Sequence, residues 1–240
     1  MKAWLVAWQF LTRLPLTIRG HVDESDLAAS VSCFPAVGAV LGAILYLCGW
    51  QVSRFLPPLT TGLLLVALQI LVTGGLHLDG ICDLSDGWYG SRDKERRLEI
   101  MKDSRLGALG ATSLLLVVMF KASLLATPPA DWQALVLYEA GAKFTMALAI
   151  AHFPYARRTG TGGLFKQVQT KHVLAAAILP LLLLVLAPWQ IALAAGAAWL
   201  GSWLLANCWS KALGGLTGDC YGAIHELWQV MFLLALEVIR

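Results

Sequence analysis

The sequence predicts an all-α fold, a polytopic membrane bundle of about six to seven transmembrane helices with an N-terminal helix in the membrane interface. Three observations carry that reading. Hydrophobic residues make up 58% of the chain and charged residues only 14%, with a mean hydropathy of +0.68, outside the range of soluble domains. Several uncharged apolar runs reach the roughly 20 residues needed to cross a bilayer core. The lysines and arginines also fall almost entirely on one side of the alternating spans.

Residues 1–16, MKAWLVAWQFLTRLPL, set Trp4, Trp8 and Leu11 on one helical face. Arg13, Pro15 and the lack of a small-residue cleavage site argue for a helix lying against the membrane and against a cleaved signal peptide. Asp23, Glu24 and Asp26 then mark the start of the next helix, whose dipole favours acids there. The first span is expected at 32–52, with Gly38 and Gly42 at a spacing that lets helices approach closely. A Pro57–Pro58 turn leads to a second span at 59–78, followed by a charged segment. Further spans are expected at 108–126, 132–153, 173–186 and 189–208, with a last one at the C-terminus. Together they form a single membrane-embedded domain, 1–240.

Alternating these spans places residues 1–30, 79–106, 154–172 and 209–226 on one side. Those segments hold fourteen of the eighteen Lys and Arg residues, and the opposite side holds only Arg54 and Arg240. The positive-inside rule makes the rich side cytoplasmic. The chain is therefore expected in the cell (inner) membrane, with the lipid bilayer as a partner and its polar loops facing the cytoplasm. A net charge of +3 gives no sign of a nucleic-acid partner, and self-association is left open. Five cysteines without a C-x-x-C pair indicate neither a disulfide framework nor a zinc site.

The chemistry concentrates in residues 73–107, which hold seven of the fifteen carboxylates in about a seventh of the chain. Asp79, Asp83 and Asp86 are four and then three apart, so a helix carries all three on one face. Aligned like charges call for a counter-charge. Hard oxygen donors point to Mg²⁺ or Mn²⁺, which typically joins a few carboxylates to substrate phosphates. His77 reads as a ligand, a phosphate donor or an interface histidine. In MKDSRLG, Lys102 and Arg105 offer donors to phosphate oxygens and Asp103 a further carboxylate, unless they pair with the acidic helix. Glu139 and Lys143, inside a span, are either an i, i+4 ion pair or a substrate contact. Asp219, in the loop GGLTGD, can join the metal site, and Glu226 lies seven residues on, on the same helical face. Arg157, Arg158, Lys166 and Lys171 form an anion-attracting rim or simply reflect the positive-inside bias. Clustered carboxylates and cations on one side suit group transfer at a diphosphate. The other class left open is a transporter of divalent cations or a phosphorylated solute, with Glu139 and Lys143 in its pathway.

The chain resembles the cobalamin-5′-phosphate synthase family (adenosylcobinamide-GDP ribazoletransferases) over nearly its whole length. FLTRLP (10–15), FPAVGAVLG (34–42), TGGLHLDG (73–80), LEIMKDSRLGALG (98–110) and GGLTGDCYGAIHE (214–226) carry the likeness. The resemblance implies attack of α-ribazole, or its 5′-phosphate, on adenosylcobinamide-GDP, release of GMP, and a Mg²⁺ requirement. It implies Mg²⁺ on Asp79, Asp83 and Asp86 with Asp219 completing the site, and Asp103 as ligand or orienting group. It further implies Arg105 and Arg157 on phosphate oxygens and an aspartate, taken as Asp86, as base. The pattern is also similar to that of CDP-alcohol phosphotransferases, but the Ala-Arg of their motif is absent after Gly80.

Overall fold

The computed structural model describes every residue except 1, 17, 19–20, 129–130, 158–162, 164 and 240. Arg158, Arg240 and most of the glycine-rich stretch of the 155–172 loop therefore lie outside the described residues. Among those described the chain is all helical apart from one isolated bridge.

Helix α1 (Lys2–Leu11) buries Val6, Ala7, Trp8 and Leu11 on one face, as the spacing of its apolar residues requires. Asp23 starts α2 (Glu24–Ser30) by accepting the Asp26 N–H at 2.9 Å, a reciprocal cap that satisfies donors at the helix start. A single 3₁₀ turn, Val31–Cys33, joins it to α3 (Phe34–Val52), so the first span begins earlier than its apolar run. Next come α4 (Pro58–Thr73), α5 (Leu76–Gly90) and α6 (Lys94–Ile100), then α7 (Ala108–Leu124) and α8 (Trp132–His152). The chain finishes with α9 (Thr170–Leu186), α10 (Trp189–Leu213) and α11 (Gly218–Ile239).

Two expectations need correction. The second span ends at Thr73 and not at 78, because Gly74 and Gly75 sit at φ 68° and 70°. Two successive left-handed residues cannot continue a right-handed helix, and glycine adopts them without a Cβ clash. The chain turns by 94° there, so α5 leaves the line of α4 instead of extending it. The span count also falls: four stretches (24–52, α8, α10 and α11) are long and apolar enough to cross, and five if α4 with α5 is one broken span. The expected six to seven is reached only by adding α7 and α9, each 17 residues long, somewhat short of a full crossing.

Helix α8 is buried almost end to end, and α3, α9 and α11 pack around it. Gly38 and Gly42 make the α3 contact, as their spacing predicts. A Cβ on them would fall 2.6 Å from the Glu139 carbonyl oxygen and 2.3 Å from that of Leu135. With no water to expel, such backbone approach is how packing forces hold membrane helices together. At the other end of α8, Leu216 pairs with the chain after it. The Leu216 N–H donates to Pro154 at 2.8 Å, and the Ala156 N–H donates to Leu216 at 2.8 Å. The loops at 154–157 and 214–217 therefore lie side by side, as the alternation of spans predicts.

Candidate functional site

Helix α5 carries Asp79, Asp83 and Asp86 on the predicted helix, but each meets different surroundings. Asp86 faces α7. One of its oxygens accepts the Gly107 N–H and the other the Gly110 N–H, both at 2.7 Å. It thus caps a helix 21 residues away in sequence, satisfying two orphan donors where the helix dipole favours an acid. A Cβ at Gly107 or Gly110 would lie within 2.4 Å of that carboxylate, which explains the glycines of SRLGALG. Each Asp86 oxygen thus accepts one backbone donor of the α7 start.

Asp79 and Asp83 instead line a chamber of about 910 Å³ with Arg13, Ser104 and an apolar wall that includes Ile70, Leu114 and Val118. Asp79 is exposed to it and makes no hydrogen bond or ion pair among the described residues. Asp83 is half-buried. Burial first, then the Asp219 and Asp79 carboxylates, push its pKa up to about 7, with Arg157 offsetting only part of this. Burial and like charge both disfavour the ionised form of this carboxyl. Asp219 approaches from α11 because Gly80 has no side chain; a Cβ there would stand 2.5 Å from the Asp219 carbonyl oxygen. The Arg157 guanidinium donates to Asp219 Oδ2 at 2.8 Å and to the Met101 carbonyl at 3.2 Å, tying three loops together.

The MKDSRLG loop forms its own rim. Arg105 and Asp103 pair at 2.6 Å, and the guanidinium beside it holds the Asp103 carboxyl down at about 2. They border a second cavity of about 590 Å³ with Asp86, which adjoins at Leu106 the chamber that Asp79 and Asp83 line. Lys102 is exposed on the same rim. Lys166 and Lys171 are exposed as well, away from both cavities.

His77, Lys143 and Glu226, expected at the substrate, are buried among one another. Lys143 pairs with Glu139, which also accepts from Gln69. Lys143 Nζ lies 3.3 Å from His225 Nε2, and His225 stacks on His77 with ring centroids 3.9 Å apart. Lys121 donates to Glu226 at 2.7 Å and to Gln229 at 2.8 Å. Donor atoms of His77, His225 and Glu226 gather within 4.8 Å, and no Asp takes part in such a group among the described residues. This trio is nonetheless a poor home for a divalent ion. Two carboxylates already balance two ammonium groups, and an added cation would face Lys121 and Lys143 directly. Sequence reasoning missed Gln69, Lys121, His225 and Gln229 as members. An intramembrane lysine was the available signal for one, since its burial requires a partner. The transporter reading loses its pathway here, because Glu139 and Lys143 neutralise each other.

Long apolar helices with an acidic chamber at one end define a multi-pass membrane protein with a polar site at one face. The chain belongs to the cobalamin-5-phosphate synthase family, whose sequence profile matches residues 3–237. It is 38% identical to the adenosylcobinamide-GDP ribazoletransferase of Desulfitobacterium hafniense, covering 97% of this chain and 95% of the relative. Identity to the ribazoletransferase of Geotalea daltonii is 35%, covering 100% and 98%. For that of Pseudomonas aeruginosa it is 37%, covering 99% and 98%. No solved structure matches the chain.

Proposed function

We propose that this chain acts as an adenosylcobinamide-GDP ribazoletransferase, catalysing the final step of cobalamin synthesis as a single membrane-embedded domain with its chamber facing the cytoplasm. The observation that carries the mechanism is that Asp79 and Asp83 line the chamber while the Asp219 carboxylate acts on Asp83 from beside it, with Arg157 paired to Asp219. Full-length kinship to ribazoletransferases supports the substrates: adenosylcobinamide-GDP, and α-ribazole or its 5′-phosphate.

The donor set fits Mg²⁺. All three donors are hard oxygens, and their spread suits an ion that completes its octahedron with waters and substrate phosphates. Asp83 and Asp219 would hold it, Arg157 occupying only Oδ2 of Asp219 among the described contacts. When bound, Mg²⁺ neutralises diphosphate charge and stabilises the departing GMP. Asp79, unpaired and open to the chamber, accepts the proton of the attacking ribazole hydroxyl, the role first given to Asp86. Asp86 holds the α5–α7 junction. The apolar wall of Ile70, Leu114 and Val118 offers the bulky corrinoid a non-polar surface.

The test is direct. Purified protein in detergent is given adenosylcobinamide-GDP, α-ribazole 5′-phosphate and Mg²⁺, and GMP is measured beside the corrinoid product. Stoichiometric release of both supports the reading; no GMP, or GMP without a joined corrinoid, contradicts it.

A further inference from the structure

We infer that Arg13 is a substrate-binding residue, holding the diphosphate of the GDP-activated substrate in the chamber that the aspartates line. Arg13 lines the same chamber of about 910 Å³ as Asp79 and Asp83. Its backbone N–H donates to the Val72 carbonyl at 2.7 Å, which clips the end of the interfacial helix segment to the last turn of α4. Its side chain lies across Gly74, where any Cβ would come within 2.4 Å of Nε and 2.6 Å of Cγ. The Gly74–Gly75 turn, which bends α5 away from α4, therefore also makes the groove in which this arginine rests.

Of the other cations expected on phosphate, Lys102 is exposed but lines neither cavity, and the rest already have partners or lie elsewhere. Arg105 makes a bidentate pair with Asp103 and borders the other cavity. Arg157 is bound to Asp219 and to the Met101 carbonyl, and Lys143 is sealed inside the bundle. Arg13 makes no side-chain hydrogen bond or ion pair among the described residues and is exposed to the chamber. A chamber with aspartates on one wall repels a diphosphate unless cations meet it. A guanidinium fork matches two phosphate oxygens in a fixed geometry that a lysine cannot reproduce.

This assignment rests on the ribazoletransferase reading, so its test has a readout separate from turnover. Full-length wild type, Arg13→Gln and Arg13→Lys in detergent are titrated with GDP in the presence of Mg²⁺, and the KM for adenosylcobinamide-GDP is measured with both α-ribazole and its 5′-phosphate. A charge-assisted pair of this kind predicts about a 10- to 100-fold weaker GDP affinity in Arg13→Gln. Arg13→Lys falls between, the KM rises equally with either acceptor, and the melting temperature is unchanged. Unaltered GDP affinity in Arg13→Gln overturns the assignment, as does wild type that fails to bind GDP. A defect confined to the phosphorylated acceptor also overturns it and moves Arg13 to the acceptor's phosphate. Absence of GMP release by wild type counts against the enzyme reading, while the GDP titration still judges Arg13.

Discussion

The acidic mouth and the buried cluster beneath it are built from the same residue types and do opposite work. In the cluster every carboxylate has an ammonium: Glu139 has Lys143 and Glu226 has Lys121. At the mouth Arg157 pairs with Asp219 alone, Asp79 has no ion-pair partner among the described residues, and burial first, then the neighbouring carboxylates, push the Asp83 carboxyl up to about 7. A buried charge that is balanced within the fold serves as scaffold, because its partner leaves nothing for a ligand to supply. Charge left unbalanced at an accessible chamber needs an ion from outside. The two regions share α5 and α11: His77 and Asp83 on one helix, and His225 and Asp219 on the other. The scaffold thus sets the register of the helices that deliver the aspartates.

The comparison breaks most sharply at Asp83. Asp83→Ala is expected to lower turnover on the order of 10²–10³-fold or more, the scale of losing one electrostatic contact to the transition state, with the melting temperature held or raised. Near-normal GMP release would remove Asp83 from the site. In the cluster the pattern reverses. Glu139→Gln leaves Lys143 unpaired and is expected to cost about 3–5 kcal/mol of stability, read as a fall in detergent melting temperature. The double change Glu139→Gln with Lys143→Met should recover much of that loss, since the pair is removed whole; no recovery would show that the two charges do not act as a pair.

Asp86 is the intermediate case. As a helix cap, its change to Ala is expected to cost about 1 kcal/mol and to reduce turnover far less than Asp83→Ala. Equal kinetic damage would return Asp86 to the metal set. The smallest effect concerns pH. The folded Asp83 carboxyl is raised from 3.8 to about 7, so the folded state binds more protons across that window and stability falls as pH rises through it. Melting temperature without Mg²⁺ should therefore decline by a few degrees from about pH 5 to about pH 8, and Mg²⁺ should restore it mainly at the higher pH. Mg²⁺ stabilisation equal at both values would dissociate ion binding from Asp83.

Local signals were readable from the chain alone. The four-and-three spacing of the aspartates set them on one helix, Gly38 and Gly42 announced the α3–α8 contact, and Glu139 with Lys143 formed the i, i+4 pair. The Lys and Arg asymmetry assigns Arg157 and Asp219 to one end, where the two meet. What stayed hidden depends on approach between distant segments. Asp86 had a metal ligand's spacing, and only the arrival of Gly107 and Gly110 makes it a cap. Glu226 finds Lys121 across 105 residues, a pairing no periodicity encodes. The Gly74–Gly75 break was written in the sequence, yet it lay inside an otherwise continuous apolar run and passed as part of a span. The span count suffers similarly, since two 17-residue helices are read as crossings by composition and as short by length.

Manganese binding separates the two regions most directly. Mn²⁺ substitutes for Mg²⁺ and is visible by electron paramagnetic resonance, so its affinity can be titrated in detergent for wild type, Asp83→Asn and His77→Gln. Tight binding by wild type and His77→Gln, with loss in Asp83→Asn, is the predicted outcome. Binding that survives in Asp83→Asn and disappears in His77→Gln would place the ion in the buried cluster and contradict the division of labour drawn here.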